Sequence, residues 1–369
     1  MPRLTLQQQL GQLLFVGIAG QGVSAELRRA LAGWVPGGFV LFKENIGAPE
    51  QLADLCAELR AVCLEQVGVP PFIAIDQEGG RVARLGPPFT QVPPMRRLGE
   101  LGDADLTRRL AAGMAAELRA AGISMNFAPV LDVDSNPANP VIGDRSFSRD
   151  PEVVARLGGA FIEGTMSAGV APVGKHFPGH GDTATDSHFE LPIVERPRAD
   201  LERLELAPFR AACAAGLPAL MTAHVLFPAL DAALPATLSP AILGDLLRGA
   251  WGYDGLVITD DLQMQAIARH FAAEAPLLSL RAGADVLLVC AGVAAAAAML
   301  AQVTEGVRSG ALRETRVEES WRRLLRLKET FLFDQVAPPA ARLRQAIAAS
   351  GAAAVVAELA QRAGTAGPT

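Results

Sequence analysis

The chain alternates eight short apolar segments with longer amphipathic ones, and this alternation constrains its fold more than any other feature. Strands that are buried on both faces of a parallel sheet are mostly apolar, and helices are expected between them. The eight predicted strands span residues 13–18, 38–42, 72–76, 125–130, 171–177, 219–225, 256–260 and 285–290. Helices are predicted between or after most of them, over residues 49–67, 103–121, 151–168, 200–215, 239–250, 263–282 and 292–309.

Eight such repeats predict a single α/β (β/α)₈ TIM barrel. The alternative, an open doubly wound sheet, would normally carry a glycine-rich phosphate loop after its first strand. Residues 17–22 have the wrong spacing for that loop and lack its acidic partner. Pro338 and Pro339 then break the pattern. We therefore predict a TIM-barrel domain over residues 1–335 and a short C-terminal helical tail over residues 336–369.

Composition narrows the class of protein. The 369 residues carry a net charge of −6 and no run of Lys and Arg, which disfavours a nucleic-acid partner. Cys56, Cys63, Cys213 and Cys290 form no CxxC pair and are expected to be core thiols, which suits a reducing compartment. A membrane helix would need about 20 continuous apolar residues without charge, and the sequence offers no such segment. We therefore expect a cytoplasmic monomer that binds neither membrane nor nucleic acid.

Polar residues gather where the predicted strands end. In a TIM barrel, catalytic residues lie at the carboxyl ends of the strands and in the loops that follow. Five of the predicted strands are followed by such residues: Asp76, Glu78 and Arg84; Asp132, Asp134 and Arg145; Lys175 and His176; His224; Asp260 and Asp261. This clustering predicts an active-site mouth. Asp132 and Asp134 are expected to order the loop before Arg145, and no role is assigned to His224.

The loop after the fifth strand is the densest motif. Three of the five histidines, His176, His180 and His188, lie in residues 175–188. Gly179 and Gly181 permit sharp turns near a ligand. Asp186 precedes His188 by two residues, so its carboxylate can accept a hydrogen bond from one ring nitrogen. That bond would fix the tautomer and make the imidazole a general acid/base near neutral pH.

Asp260 supplies a second reactive group at the end of an apolar strand. A carboxylate on a rigid strand end suits a nucleophile or a stabiliser of an oxocarbenium ion. Its neighbour Asp261 is expected to point away, because successive strand residues face opposite sides.

Three runs of sequence resemble glycoside hydrolase family 3, and in particular its bacterial β-N-acetylhexosaminidase branch. They are Ile-Asp-Gln-Glu-Gly-Gly-Arg at 75–81, Lys-His-Phe-Pro-Gly-His-Gly-Asp at 175–182 with Asp-Ser-His at 186–188, and Ile-Thr-Asp-Asp-Leu-Gln-Met at 258–264. The resemblance extends from about residue 6 to residue 333. It is specific, since the Lys-His…Asp-Ser-His pattern is much rarer than a single glycine-rich loop.

The resemblance implies a role for each matched residue. Asp260 matches the nucleophile that forms a covalent glycosyl-enzyme, His188 the general acid/base, and Asp186 the partner of that histidine. The residues implied to hold a terminal N-acetylglucosamine are Asp76, Arg84, Arg145, Lys175 and His176. No cofactor or metal is implied. The implied substrate is a small carbohydrate or muropeptide, namely the anhydro-muropeptides of peptidoglycan recycling.

Other interpretations compete with this one. Arg84 and Arg145 could be structural ion-pair arginines, and His180 and Asp182 are expected to shape the loop. A metal-dependent hydrolase would draw ligands from His176, His180, Asp182 and Asp260, although Pro178 and Gly179 separate the two histidines. A histidine acid/base would also admit phosphorolysis, and a barrel that had lost catalysis could bind sugar alone. The few aromatic residues predict a small polar pocket and exo action.

Overall fold

Eight parallel strands close into a barrel in the computed structural model, which describes residues 4–187, 190–333 and 340–365. The strands pair in chain order, and β1 also pairs with β8. They are β1 (Leu14–Gly17), β2 (Gly38–Leu41), β3 (Phe72–Ile75), β4 (Met125–Asn126), β5 (Ala171–Phe177), β6 (Ala219–Thr222), β7 (Leu256–Asp261) and β8 (Val286–Val289). The TIM-barrel prediction is confirmed. Seven predicted strands contain an observed one, and β7 extends one residue beyond its predicted end.

Strand β4 has only two residues, because a proline follows it. Pro129 has no N–H to donate to the ladder, which limits regular pairing. The chain nevertheless continues along β5: Lys175 N donates to Pro129 O at 3.1 Å, and Leu131 N donates to Lys175 O at 2.7 Å. This irregular segment carries Asp132 to the carboxyl end of the barrel, beside the end of β5.

Helices surround the barrel and follow the prediction closely. Helix α1 (Leu6–Gln12) precedes β1, and the helices that follow the first four strands are α2 (Ala25–Ala30), α3 (Pro49–Val67), α4 (Arg96–Leu101), α5 (Ala104–Ala120) and α6 (Pro151–Ser167). The later helices are α7 (Arg198–Arg203), α8 (Leu206–Ala214), a π-helix (Pro240–Ala250), α9 (Gln265–Phe271), α10 (Ala275–Ala282), α11 (Val293–Arg308), α12 (Glu314–Phe331), α13 (Leu343–Ala349) and α14 (Ala352–Thr365). Helix α3 has the predicted bounds.

Two predicted helices are each split in two. The predicted helix 200–215 is α7 and α8, and the predicted helix 263–282 is α9 and α10. Pro208 and Pro276 explain the breaks. Each lies in the first turn of the second helix, where the missing N–H has no partner to lose, whereas an interior position would cost about 3 kcal/mol.

The C-terminal helices pack on the barrel as predicted. Val355 and Leu359 of α14 are buried against the side chains of α5 and its neighbours. Arg109 of α5 binds both carboxylate oxygens of Glu358, at 2.9 and 3.1 Å. By length and composition alone, one stretch of the described chain, Leu343–Ala363, could cross a membrane. That stretch comprises two helices separated at Ser350 and Gly351.

The amino-terminal end of the barrel contains a buried lysine, Lys328 of α12. Its Nζ donates to Gln12 Oε1 at 2.7 Å and to Pro70 O at 2.8 Å. Burial lowers the pKa of Lys328 to about 7. The amine is therefore close to its titration point at neutral pH.

Lys328→Met should remove a pH dependence of stability. An unfolded lysine has a pKa of about 10.4. Between pH 7 and 10 the unfolded chain therefore binds a proton that the folded chain does not, and the free energy of unfolding of the wild type should rise with pH by roughly 4 kcal/mol. Urea unfolding at both pH values measures this rise. Equal rises in wild type and variant would show that Lys328 is not the group responsible.

Candidate active site

A cavity of about 280 Å³ lies at the carboxyl ends of the strands, close to the lower limit of ligand pockets. Six of the eight residues predicted for the site line it: Asp76, Arg84, Arg145, Lys175, His176 and Asp260. Asp186 is among the described residues but is not one of those that line the cavity, whereas its neighbour Ser187 is. His188 lies outside the described residues.

Five charged side chains of alternating sign form one ion-pair row along the cavity wall: Arg84, Asp76, Lys175, Glu78 and Arg145. Arg84 Nη2 is 3.2 Å from Asp76 Oδ2. Lys175 Nζ lies between two carboxylates, 2.7 Å from Asp76 Oδ1 and 2.6 Å from Glu78 Oε1. Arg145 donates to both oxygens of Glu78 at 2.8 Å. Strand β5 thus reaches across β4 to join the carboxylates that follow β3.

The ion-pair row stays charged although it is largely buried. Burial alone would raise the pKa of Glu78, but Lys175 and Arg145 hold it well below its usual range. Burial would likewise lower the pKa of Lys175, yet Asp76 and Glu78 raise it on balance. The cavity wall therefore presents fixed charges, which can form strong hydrogen bonds with sugar hydroxyls.

Arg84 and Arg145 belong to this row. Both the structural ion pairing and the ligand-binding position considered for them from the sequence are therefore observed. Both arginines make ion pairs, and both line the cavity. Arg84 also lies 5.8 Å from the centre of the Phe42 ring. Glu78, which has no role in the sequence prediction, is the common partner of Arg145 and Lys175. The sequence signal was weak, since Glu78 lies two residues after Asp76 in the loop that follows β3.

Asp132 is a buried carboxylate that organises the start of the loop after β5. Its Oδ2 is 2.7 Å from His176 Nδ1, and its Oδ1 accepts from the backbone N–H of His180 at 2.7 Å. Burial opposes ionisation, but His176 and His180 lower the pKa of Asp132 on balance. The expectation that Asp132 orders the loop before Arg145 is therefore corrected: its carboxylate holds His176, and only its backbone oxygen meets that loop, at Ser146 Oγ.

Asp260 lines the same cavity, near the end of β7. Burial would raise the pKa of Asp260, but nearby His224 and His176, the N–H of Asp261 and Lys175 lower it on balance. Asp261 N donates to Asp260 Oδ1 at 2.8 Å. Asp260 is therefore an ionised carboxylate at neutral pH. His224, unassigned from sequence, is buried with Nε2 2.9 Å from Asp261 O and supports this strand end.

Asp261 lines the cavity together with Asp260, so the expected alternation is wrong here. The pairing register between β7 and β8 shifts between Ile258 and Asp261, and such an irregularity re-aims side chains at a strand end. Asp261 Oδ1 accepts from the N–H groups of Cys290 and Gln263, both at 3.2 Å. Cys290, expected in the core, also lines the cavity because it follows the end of β8.

Hydrogen bonds and an ion pair hold the loop after β5 in place. Arg196 donates to both carboxylate oxygens of Asp182, at 2.6 and 2.8 Å. His180 lies between two hydroxyls, with Nδ1 2.9 Å from Thr183 Oγ1 and Nε2 3.0 Å from Ser187 Oγ. Burial and the nearby His176 lower the pKa of His180 to about 4, so its ring is neutral at pH 7. Asp182 and His180 therefore shape the loop, as expected.

The two loop glycines allow close packing within the protein. A Cβ at Gly179, whose φ is +140°, would lie 2.7 Å from the Glu205 side chain. A Cβ at Gly181 would lie 1.6 Å from Val133 O. Each distance is far below van der Waals contact, so glycine at 179 lets the loop lie against Glu205, and glycine at 181 lets it lie against the segment after β4.

The geometry does not favour the metal-site alternative. Among the described residues, no three His, Cys, Asp or Glu side chains converge as a ligand cluster. His176, His180 and Asp182 are each committed to partners within the protein. As predicted, Trp34, Trp251, Trp321 and Tyr253 are not among the described residues that line the cavity, although Phe42 and Phe127 are.

Known proteins share both this sequence and this fold. The glycosyl hydrolase family 3 N-terminal domain matches residues 5–327. A β-hexosaminidase of Nitrosospira multiformis is 43% identical over 300 residues, 79% of this chain and 83% of that protein. A β-hexosaminidase of Alkalilimnicola ehrlichii is 40% identical over 331 residues, covering 85% of this chain and 92% of that protein.

Solved structures agree with these relatives. A family 3 β-N-acetylglucosaminidase from Paenibacillus sp. str. FPU-7 matches with a TM-score of 0.87 and 44% identity, covering 94% of this chain and 69% of that one. NagZ from Neisseria gonorrhoeae, in complex with N-trifluoroacetyl-D-glucosamine, matches with a TM-score of 0.76 and 32% identity, covering 98% and 99%. Barrel, site and relatives define a glycoside hydrolase of the β-N-acetylhexosaminidase type. The chain belongs to glycoside hydrolase family 3.

Proposed function

We propose that the enzyme removes terminal, non-reducing β-linked N-acetylglucosamine by double displacement with retention of configuration. The observation that carries the proposal is an ionised Asp260 that lines a small cavity together with the ion-pair row. A carboxylate so placed can attack the anomeric carbon, and the surrounding charges can hold one sugar ring above it. The small volume supports exo action.

Each residue has a distinct role in this proposal. Asp260 attacks and forms the covalent glycosyl-enzyme. His188 donates a proton to the leaving oxygen and then activates water, with Asp186 orienting its ring. Asp76, Arg84, Arg145, Lys175 and His176 hold the sugar through its hydroxyls and acetamido group. The bond from His176 Nδ1 to Asp132 at 2.7 Å supports a fixed orientation of that ring.

The proposed substrate is a peptidoglycan fragment of the anhydro-muropeptide kind, cleaved in the cytoplasm by a monomer that needs no cofactor or metal. Support for the sugar comes from the relatives, among them a structure with N-trifluoroacetyl-D-glucosamine bound. The net charge of −6 supports the absence of a nucleic-acid partner.

A comparison of aryl glycosides tests the sugar specificity. Nitrophenyl β-N-acetylglucosaminide should be cleaved with a kcat/KM at least about 100-fold above that of the β-glucoside, because a site that pairs its polar groups with the acetamido group rejects a sugar lacking it. The β-N-acetylgalactosaminide measures selection at the 4-hydroxyl. Equal rates for glucoside and N-acetylglucosaminide would contradict the proposal. Sugar 1-phosphate as the main product in phosphate buffer would identify a phosphorylase instead.

A further inference from the structure

The members of the ion-pair row differ sharply in how much of each side chain a ligand can reach. The side chains of Asp76 and Arg84 are 18% and 26% exposed, respectively. The side chains of Glu78 and Lys175 are only 2% and 3% exposed, and that of Arg145 is 10% exposed. Glu78 is thus the most enclosed member of the row, although its oxygens touch two of the cations that line the cavity.

We propose that Glu78 is a positioning residue that fixes Arg145 and Lys175 in the orientation in which they bind the terminal sugar. The inference rests on the proposed sugar-binding function of those two cations. It gives a role to a carboxylate that is paired with both cations but is almost fully covered by the protein.

Arg145 depends on Glu78 for its orientation. Two parallel hydrogen bonds of 2.8 Å, from Nε and Nη2, fix the plane of the guanidinium. Among the described residues, the other hydrogen bond of this guanidinium is from Nη1 to Val141 O at 3.2 Å. A single longer bond to a carbonyl does not define that plane, so loss of the Glu78 charge would free the group to rotate.

Lys175 depends on Glu78 for the balance of its contacts. The ammonium is shared almost equally, 2.6 Å from Glu78 and 2.7 Å from Asp76. Without Glu78 the ammonium would pair with Asp76 alone. Asp76 is the more exposed carboxylate and the one proposed to accept bonds from sugar hydroxyls, so a tighter pair with Lys175 would compete with the sugar. Glu78 thereby keeps Asp76 available to the ligand.

The test is Glu78→Gln, which keeps the size of the side chain and removes its charge. We expect kcat/KM on nitrophenyl β-N-acetylglucosaminide to fall about 100-fold, a typical result of a small misplacement of binding groups. Most of the loss should lie in KM, because the cations contact the sugar before and during reaction. Inhibition by N-acetylglucosamine itself should weaken in parallel. Wild-type kcat/KM and inhibition constants in a folded variant would overturn the inference.

Asp285→Asn is the matched control. Asp285 is also a fully buried carboxylate among arginines, paired with Arg248 at 2.5 Å and Arg316 at 3.0 Å, but it lies at the opposite end of the barrel. Its loss should lower the unfolding temperature and leave kcat/KM of the folded enzyme unchanged. A fall in kcat/KM equal to that of Glu78→Gln would show that any buried charge loss has this effect, and would overturn the positioning role.

A double-mutant cycle separates positioning from general support. Arg145→Ala should cost much less in the Glu78→Gln background than in wild type, because both changes remove the same oriented guanidinium. Additive effects would contradict the inference.

If Glu78→Gln does not fold, Glu78→Asp offers a second variant. It retains the charge but is one methylene shorter, and we expect it to raise KM about tenfold. An unchanged KM in that variant would also overturn it. If the wild type does not cleave N-acetylglucosaminides, the proposed function itself fails.

Discussion

Asp260→Asn should lower kcat at least about 10⁴-fold, since the loss of a catalytic nucleophile costs this much or more in well-studied hydrolases. The carboxamide has the shape of the carboxylate but cannot form the glycosyl ester. The structure gives the physical reason for the size of the effect: the pKa of Asp260 is lowered, so the wild-type group is fully ionised at neutral pH and ready to attack. Steady-state hydrolysis of nitrophenyl β-N-acetylglucosaminide measures the loss.

Asp261→Asn is the comparison for this variant. Asp261 is the adjacent carboxylate and lines the same cavity, but its Oδ1 accepts from the N–H groups of Cys290 and Gln263. An asparagine side-chain oxygen can accept the same bonds, so the loss should be far smaller than at Asp260. Equal losses in the two variants, or appreciable turnover by Asp260→Asn, would remove Asp260 from the nucleophile's role.

His188→Ala should slow hydrolysis by about 10²- to 10⁴-fold for substrates with poor leaving groups, the usual contribution of a general acid/base. A nitrophenolate needs no proton to leave, so glycosylation by the nitrophenyl substrate should be slowed much less. Measuring kcat/KM against leaving-group pKa in both enzymes tests this, and the dependence should become steep only in the variant. Equal slowing of good and poor leaving groups would exclude the acid role of His188.

The fold places the residues proposed to bind the sugar and those proposed to transfer the proton on different parts of the chain. Lys175 and His176 lie at the end of β5, where Asp76, Glu78 and Asp132 hold them by ion pairs and hydrogen bonds. Asp186 belongs instead to the loop that follows, and Ser187 of that loop joins the cavity wall. The backbone N–H of Ala266, in α9 after the Asp260 strand, donates to Ser187 O at 3.3 Å. The loop is thus bonded to the element that follows the proposed nucleophile.

Much of the fold was predictable because its signals are local. Each barrel strand is a short apolar run. Seven of the eight lie within a predicted segment, and β7 extends one residue beyond its segment, to Asp261. The errors came from residues whose effect depends on position. Pro208 and Pro276 lie inside apparently continuous helical patterns, and only their place in a first turn shows that each begins a second helix.

The site was predictable at the level of which strand ends meet, and less so at the level of partners. The alternation of polar residues with strands brought Asp76, Lys175 and Asp260 to one cavity. The pairing of Asp132 with His176 could not be predicted from the sequence, because it depends on how an irregular segment after β4 lies beside β5. Asp261 was misjudged for a similar reason, since a register shift interrupts the regular alternation of β7.

The central claim, that Asp260 forms a covalent glycosyl-enzyme, is tested most directly by trapping that species. A 5-fluoro derivative of β-N-acetylglucosaminyl fluoride should inactivate the enzyme by slowing the second step more than the first. Mass spectrometry of a protease digest should then find one added sugar on the peptide that contains Asp260. A label on another residue would contradict the account. So would rapid hydrolysis of the reagent to an α-configured sugar, because that product shows inversion and not retention.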